Sequence, residues 1–193
     1  MNIIPLISVK KGKLLDGKDG EPFSLDALFS QVEKDAVLYV LDLDGVEHNN
    51  PNLELYQQLT EHCALWIDAG PRRIDDVMDI IMAGATNLTL RTELWPDLLL
   101  SDVFELTDDE VYFSLSASNQ DQLNFIPPDI TGVVVFSEDL QRTSDFTGIG
   151  ALKNRIPPQN IYLYNIPSNT RLYWEGQGIT GILVDLNKKE GAS

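Results

Sequence analysis

The segment that decides the fold begins Val37-Leu38-Tyr39-Val40-Leu41-Asp42 and ends Ala64-Leu65-Trp66-Ile67-Asp68. Both ends are apolar runs without polar interruption, which is typical of parallel strands that are buried on both faces. Between them, Asn50-Pro51-Asn52 precedes a candidate helix over residues 53–62, and Pro51 suits its first turn. The segment therefore predicts a strand–helix–strand unit.

The same alternation continues along the whole chain. Eight strand-like runs cover residues 3–9, 37–42, 64–68, 87–91, 111–116, 132–136, 160–164 and 181–185. Eight strands joined by helices predict closure into a compact (β/α)8 TIM barrel, which we expect to be a single domain over residues 1–193. Because such a barrel takes about 250 residues, we expect shortened or missing helices in the second half.

The sequence predicts the remaining helices with different strength. Ser24 is a candidate N-cap for a helix over residues 25–33, and Gly84 is a candidate end for a helix over residues 74–83. A weaker helix is expected over residues 145–153, and no helix is expected over residues 168–178.

The rival architecture is an open, doubly wound sheet that binds a dinucleotide. That fold requires a glycine-rich turn after an early strand. Gly12, Gly17 and Gly20 instead lie scattered in a charged, hairpin-like stretch, and no phosphate-binding loop motif occurs. The barrel is therefore the favoured prediction.

Charge and cysteine content exclude several classes of protein. The 193 residues include 14 Lys and Arg against 30 Asp and Glu, for a net charge of −16. Such a surface repels nucleic acid and anionic lipid, so neither is an expected partner, and solubility or a salty habitat is the simplest reason for the acidity. A single cysteine, Cys63, forms no internal disulfide, which favours a cytoplasmic location.

Three segments carry a family resemblance over roughly residues 1–95. They are Ile3-Ile4-Pro5-Leu6 with Lys11-Gly12-Lys13, then Leu38-Tyr39-Val40-Leu41-Asp42-Leu43-Asp44-Gly45, and then Trp66-Ile67-Asp68-Ala69-Gly70-Pro71-Arg72. Together they resemble the HisA/HisF barrels, which include the aminoaldose–ketose isomerase of histidine biosynthesis. The resemblance implies a TIM barrel that serves small-molecule biosynthesis. Because related barrels are associated with organisms that make C1-carrier cofactors of the tetrahydromethanopterin type, it also implies that pathway.

The sequence departs from that family at its reacting positions. Ser8 and Ser116 stand where the isomerase has its two catalytic aspartates, and a serine hydroxyl is not a carboxylate base. Three of the four glycine turns that bind phosphate are replaced, by Arg91, by Asn165-Ile166 and by Asp185. We therefore expect neither the parent reaction nor a bisphosphate substrate, whereas one phosphate held by Arg72 and Arg91 remains open.

Active sites of this fold lie at the carboxyl ends of the strands, which form the barrel mouth. The candidate catalytic residues are Asp42, Asp68, Ser8 and Ser116. The candidate ligand-binding residues are Arg72, Arg91, Glu138, Asn165 and Asp185. This polar mouth suits an amine-bearing or neutral small molecule. An oxygen-only Mg²⁺ or Ca²⁺ site is the alternative, but no ligand spacing supports it, so we assign neither a metal nor another cofactor.

Several of these residues could instead stabilise the fold, with no part in catalysis or ligand binding. Asp42 and Asp44 suit hydrogen bonds to backbone N–H groups in the loop that follows their strand. Asp68 is well placed for a salt bridge with Arg72, and Arg91 is well placed to pair with one of the acidic residues expected at the mouth. Two functions follow: a diverged biosynthetic enzyme with a small molecule in its mouth, or a catalytically inactive barrel that is a binding or assembly partner of another protein.

Overall fold

The computed structural model describes residues 1–16, 20–116, 126–127, 129–136, 160–164, 166 and 170–186. Within these ranges, eight parallel strands form a closed barrel. The barrel strands are β1 (Asn2–Lys10), β4 (Val37–Asp42), β5 (Ala64–Asp68), β6 (Ala85–Leu90), β7 (Glu110–Ser116), β8 (Gly132–Phe136), β9 (Ile161–Tyr164) and β10 (Gly181–Asp185). Each strand pairs with the next, and β10 pairs with β1 to close the ring. The predicted TIM barrel is confirmed.

A short antiparallel extension lies beside the carboxyl end of β1. Strands β2 (Lys13–Leu15) and β3 (Pro22–Phe23) continue from β1, with Ser8 opposite Leu15. The turn between β1 and β2 uses positive φ angles at Lys11 (53°) and Gly12 (66°). The hairpin-like stretch that the sequence indicated is therefore part of the sheet, next to the barrel mouth.

Six helices occur among the described residues. They are α1 (Leu25–Phe29), α2 (Leu43–His48), α3 (Leu53–Leu59), α4 (Ile74–Met82), α5 (Leu100–Phe104) and α6 (Arg171–Gly176). Helix α4 confirms its prediction almost to the residue, and Ser24 caps α1 by accepting a hydrogen bond from the Ala27 N–H. Helices α1 and α3 end earlier than predicted, and the hydroxyls of the residues that follow them, Ser30 and Thr60, donate to carbonyls three residues back. Pro51 precedes the cap residue Asn52 and lies outside the first turn.

Two helix predictions need correction, and one lies outside the described residues. Residues 168–178 were expected to lack a helix, yet α6 forms there because Trp174, 1% exposed, packs into the core. Helix α2 was not predicted at all, because its sequence continues directly from the apolar run of β4. The expected helix over residues 145–153 lies outside the described part of the chain.

The barrel separates two apolar layers. Alternate residues of β1 show this clearly: Ile4 and Leu6 belong to the cluster inside the barrel, whereas Ile7 and Val9 pack outward toward the helices. The inner cluster is rich in large rings, contributed by Tyr39, Trp66, Tyr112 and Tyr162. Because these side chains fill the barrel, its interior is a packed core. Among the described residues, no helix is both long enough and apolar enough to cross a membrane.

Candidate functional site

A buried ion pair lies at the mouth of the barrel. Arg91 donates from Nε to Asp68 Oδ1 at 2.9 Å and from Nη2 to Asp68 Oδ2 at 2.7 Å. The Asp68 side chain is fully buried and that of Arg91 is 15% exposed. Asp68 ends β5 and Arg91 follows β6, and both face inward because their neighbours Ile67 and Leu90 pack in the outer layer. Two adjacent strands thus present one two-point ion pair to the interior.

Neutral groups beneath the pair complete its hydrogen bonding. The Tyr39 hydroxyl donates to Asp68 Oδ2 at 3.0 Å and also lies 3.2 Å from Thr89 Oγ1. Thr89 Oγ1 accepts a hydrogen bond from Trp66 Nε1 at 2.8 Å. Asp68 therefore accepts three hydrogen bonds from protein donors, and the network beneath it fixes its orientation.

An aromatic array extends from Arg91 across the mouth to Asp185. The Arg91 guanidinium carbon lies 5.2 Å from the centroid of the Phe136 ring, a cation–π contact. The Phe136 and Tyr164 rings have centroids 5.3 Å apart, and the Tyr164 hydroxyl donates to Asp185 Oδ1 at 3.0 Å. The array therefore has a cation at one end and a carboxylate at the other.

Electrostatics keep the Arg91 guanidinium charged and the Tyr39 hydroxyl neutral. Burial lowers the pKa of Arg91, but the charge of Asp68 and its hydrogen bonds raise it by more, so the net pKa lies above its ordinary value. Burial, followed by the charge of Asp68, raises the pKa of Tyr39 well above 10.0. Tyr39 thus remains a neutral donor to Asp68 across the physiological pH range, and Arg91 stays protonated.

Ser8 lies on the inward-facing side of β1, two residues beyond Leu6 toward the mouth. Its side chain is fully buried, and its hydroxyl has no hydrogen-bond partner among the described residues. An unpartnered buried hydroxyl costs roughly 1–3 kcal/mol, so such groups call for a specific explanation. Ser8 is therefore a buried polar group whose hydrogen-bonding capacity is unused among the described residues.

The predicted catalytic role of Asp42 does not fit its position, because its side chain faces away from the barrel interior. It shares the outward side of β4 with Leu38 and Val40, and it caps α2 by accepting hydrogen bonds from two backbone N–H groups. It also accepts from the backbone and side-chain nitrogens of Asn52 and from the Tyr56 hydroxyl. Asp42 therefore connects α2, the loop and α3, in agreement with the predicted hydrogen bonds to backbone N–H groups after its strand.

Asp44 and Arg72 also have structural partners. Asp44 accepts from the backbone N–H groups of Lys11 and Gly12 at 2.8 and 2.9 Å, which fixes the turn after β1. Arg72 donates to the Val46 carbonyl at 2.9 Å. The expected salt bridge of Asp68 with Arg72 is therefore wrong, whereas the expected pairing of Arg91 with an acidic residue is confirmed. Arg72 and Arg91 share no partner among the described contacts, so no joint phosphate site is seen.

The roles predicted for Ser116, Glu138 and Asn165 are not tested by the described residues. Ser116 ends β7, where its backbone pairs with Phe136, but its side chain is outside the described part of the chain. Glu138 and Asn165 lie outside the described residues. Within the described ranges, no group of three or more His, Cys, Asp or Glu side chains is arranged to hold a metal ion.

Tyr39, Thr89 and Phe136 belong to the site but were not predicted from the sequence. Their signal was the alternation of strand residues, because Tyr39 lies two residues before Leu41 and Thr89 two before Arg91 on the same inward side. In unbroken apolar runs this alternation is hidden, since both faces of the strand are buried.

Comparison with solved structures agrees with the barrel. Similar structures include the methylornithine synthase PylB (TM-score 0.55, 11% identity, 90% of this chain and 65% of that one). Another is HydG, a maturase of the FeFe-hydrogenase (TM-score 0.56, 8% identity, 94% and 56%). A third is a putative dihydrodipicolinate synthase family protein from Coccidioides immitis (TM-score 0.52, 14% identity, 94% and 65%). The chain spans less than two thirds of the length of each, and at these identities the likeness establishes the fold alone.

No protein-family model matches the sequence, and no curated protein matches it.

Proposed function

We propose that this chain is a HisA-related barrel of small-molecule biosynthesis that binds its ligand at the mouth through Arg91. The observation that carries this proposal is the guanidinium itself, whose side chain is 15% exposed, and which Asp68 holds in place while using only two of its donors. A buried arginine with unused donors is a binding group for a small acidic ligand.

The geometry leaves one edge of the guanidinium for a ligand. Arg91 has five N–H donors, and Asp68 takes one from Nε and one from Nη2. Nη1 lies 3.6 Å from Glu93 Oε1, beyond hydrogen-bond distance, and the Glu93 side chain is 44% exposed. The Nη1–Nη2 edge thus lies beside a partly exposed carboxylate that makes no hydrogen bond to it. Asp68 holds the other edge, so little ordering cost remains when a ligand binds.

The same contacts favour a reaction different from that of the parent isomerase. Asp68 accepts three hydrogen bonds, two from Arg91 and one from Tyr39, and Asp42 faces outward, so neither serves as a free general base at the mouth. Ser8 brings a hydroxyl in place of a carboxylate. We propose a role in making a C1-carrier cofactor of the tetrahydromethanopterin type, which the resemblance over residues 1–95 supports.

The second candidate is a catalytically inactive barrel that binds or assembles with another protein. The outward position of Asp42 and the internal pairing of Asp68 favour it, because both stabilise the fold without needing a substrate. The two candidates differ in whether Arg91 has a ligand.

Mass spectrometry of small molecules released from natively purified protein tests the proposal. Wild type is compared with Arg91→Lys, which keeps the positive charge but loses the planar pair of donors of the guanidinium. Asp102→Asn, on the exposed surface of α5, is the control. We expect a metabolite enriched on wild type and on the control and depleted at least tenfold on Arg91→Lys. Equal enrichment on all three, or none on any, contradicts ligand binding at Arg91 and favours the non-enzymatic candidate. Rescue of a histidine auxotroph that lacks the isomerase would overturn the proposed change of reaction.

A further inference from the structure

We propose that the ligand at the mouth is an amino carboxylate, with its carboxylate on Arg91 and its ammonium group at Asp185. This inference rests on the proposed function, and it adds the chemical class of the ligand. Four features support it: a cationic end, an anionic end, an aromatic floor between them and an unpartnered buried hydroxyl.

The cationic end suits a carboxylate better than a phosphate dianion. The Nη1–Nη2 edge of Arg91 is planar and presents two parallel donors, which match the two oxygens of a carboxylate. Asp68 bonds the same guanidinium at 2.7 Å, and Glu93 lies 3.6 Å from it. A second negative charge on the ligand would therefore meet two carboxylates, and no second arginine shares the site among the described contacts. A singly charged group meets the least repulsion.

The anionic end is Asp185, the last residue of β10. Leu183 packs inside the barrel and Ile182 packs outside, so the alternation along the strand turns Asp185 inward at the mouth. Tyr164 donates to one of its oxygens at 3.0 Å. Asp185 has interactions besides this bond, and a carboxylate with about four lone-pair sites can accept from an ammonium group alongside its protein partners.

The floor between the two ends is aromatic. The Phe136 and Tyr164 rings lie 5.3 Å apart and pack against the inner cluster of the barrel. Their faces attract a cation and cover an aliphatic chain. Below them the barrel is filled by Trp66 and Tyr112, whose ring centroids are 4.1 Å apart. The ligand is therefore small and lies across the mouth, because the interior beneath is occupied.

Ser8 provides an independent indication of a polar ligand atom. Its hydroxyl is fully buried on the inward side of β1, a strand that pairs with β10, and it has no partner among the described residues. A hydroxyl both donates and accepts, so it can bond to either charged end of a zwitterion or to a polar group between them. Ser8→Ala is therefore expected to weaken binding several-fold.

Calorimetric titration with matched probes tests the ligand class. The probes are 3-aminopropanoate, 4-aminobutanoate and 5-aminopentanoate, each paired with the carboxylate that lacks the amine and with the amine that lacks the carboxylate. We expect at least one amino carboxylate to bind wild type ten or more times more tightly than either of its partners. Asp185→Asn is expected to remove that preference while leaving carboxylate binding, and Arg91→Lys to weaken both. Asp102→Asn is the control.

The outcomes separate this inference from the proposed function. If the plain carboxylates bind as tightly as the amino carboxylates and Arg91→Lys weakens them, the zwitterion inference fails and binding at Arg91 stands. If no probe binds wild type while a metabolite still co-purifies with it, the ligand class is wrong. If no probe binds and no metabolite co-purifies, both proposals fail. A circular dichroism spectrum and a melting temperature for each variant show whether it has folded.

Discussion

Arg91 donates two hydrogen bonds to Asp68, from the residue after β6 to the last residue of β5, and the carboxylate is fully buried. This pair joins neighbouring strands at the mouth and makes no bond to Nη1 of the guanidinium. The same contacts therefore connect the two strands and hold the guanidinium in place.

Breaking this pair is expected to be costly for the fold. Arg91→Met leaves Asp68 buried without its cation and should lower the free energy of unfolding by about 3–5 kcal/mol. Asp68→Asn combined with Arg91→Met removes both charges and should lose clearly less than Arg91→Met alone. Urea denaturation measures all three proteins. A double variant that is as unstable as Arg91→Met would show that the buried charge is not the cause.

Asp42 is expected to affect stability and not ligand binding. Asp42→Ala leaves the Asn52 N–H, the Tyr56 hydroxyl and the cap of α2 without their acceptor, and should cost about 3 kcal/mol or more. Tyr56→Phe removes one of those donors and should cost about 1–2 kcal/mol. Urea denaturation and titration with 4-aminobutanoate check both effects. A folded Asp42→Ala protein that has lost the ligand would place Asp42 at the mouth, contrary to the structure.

Asp44 is expected to contribute to the pH dependence of stability. Burial alone would raise its pKa, but hydrogen bonds from the Gly12 and Lys11 N–H groups, then from Asn52, lower the pKa below 3.8 overall. Its ionised form therefore stabilises the folded state above about pH 4, the unfolded value, and that contribution is lost as the pH falls through the lowered folded pKa. The stability difference between wild type and Asp44→Asn should shrink in acid, as followed by urea denaturation from pH 7 to 3. Exposed Glu61→Gln is the control, and a constant difference would contradict the assignment.

Four buried tyrosines are expected to resist ionisation in alkali. Burial is the largest cause that raises the pKa of Tyr39, Tyr56, Tyr112 and Tyr162 above 10.0. Since their folded pKa values exceed the unfolded one, their stabilising contribution is full below about pH 10 and is lost as the pH rises further. Absorbance at the tyrosinate band should therefore rise in step with unfolding, as followed by circular dichroism. Six tyrosines that titrate smoothly near pH 10 in the folded protein would contradict the aromatic core.

Gly45 is expected to be intolerant of a side chain. A Cβ there would lie 2.5 Å from the Ala69 carbonyl oxygen, which belongs to the loop after β5. Gly45→Ala should therefore force α2 away from that loop and cost about 1–3 kcal/mol. Gly176→Ala is the matched control, because a Cβ at the end of α6 has no neighbour within 4 Å. Thermal melting compares the two, and equal stability would show that α2 and the loop are not in close contact.

The fold was predictable from sequence because its signal is repeated. Eight apolar runs each predict a strand, and four of them match the observed bounds to the residue, as at Val37–Asp42 and Gly132–Phe136. Helix ends were less predictable, since α1 and α3 end at Phe29 and Leu59, earlier than the apolar pattern indicated. Helix α6 was missed because its one buried anchor, Trp174, is a tertiary contact.

The sequence predicted which residues lie at the ends of strands, but it did not predict which of their side chains face the barrel interior. Asp42 and Asp68 both end apolar runs, yet one faces the helices and the other the barrel interior, because the inward or outward direction alternates with each residue. In strands buried on both faces, the apolar pattern does not reveal that direction. The pairing of Asp68 with Arg91 depends on the neighbouring position of β5 and β6, which is a property of the sheet.

The central claim is that the outer edge of Arg91 binds the acidic group of a ligand, and the Arg91 Nη1–H signal in a ¹⁵N NMR spectrum tests it most directly, because Nη1 belongs to that edge and makes no bond to Asp68. The signal is assigned by its loss in Arg91→Lys, and the protein is titrated with 4-aminobutanoate. We predict a saturable shift of this signal in wild type and in Asp102→Asn. A signal that does not move while other mouth residues do, or a spectrum that does not change at all, would contradict the claim.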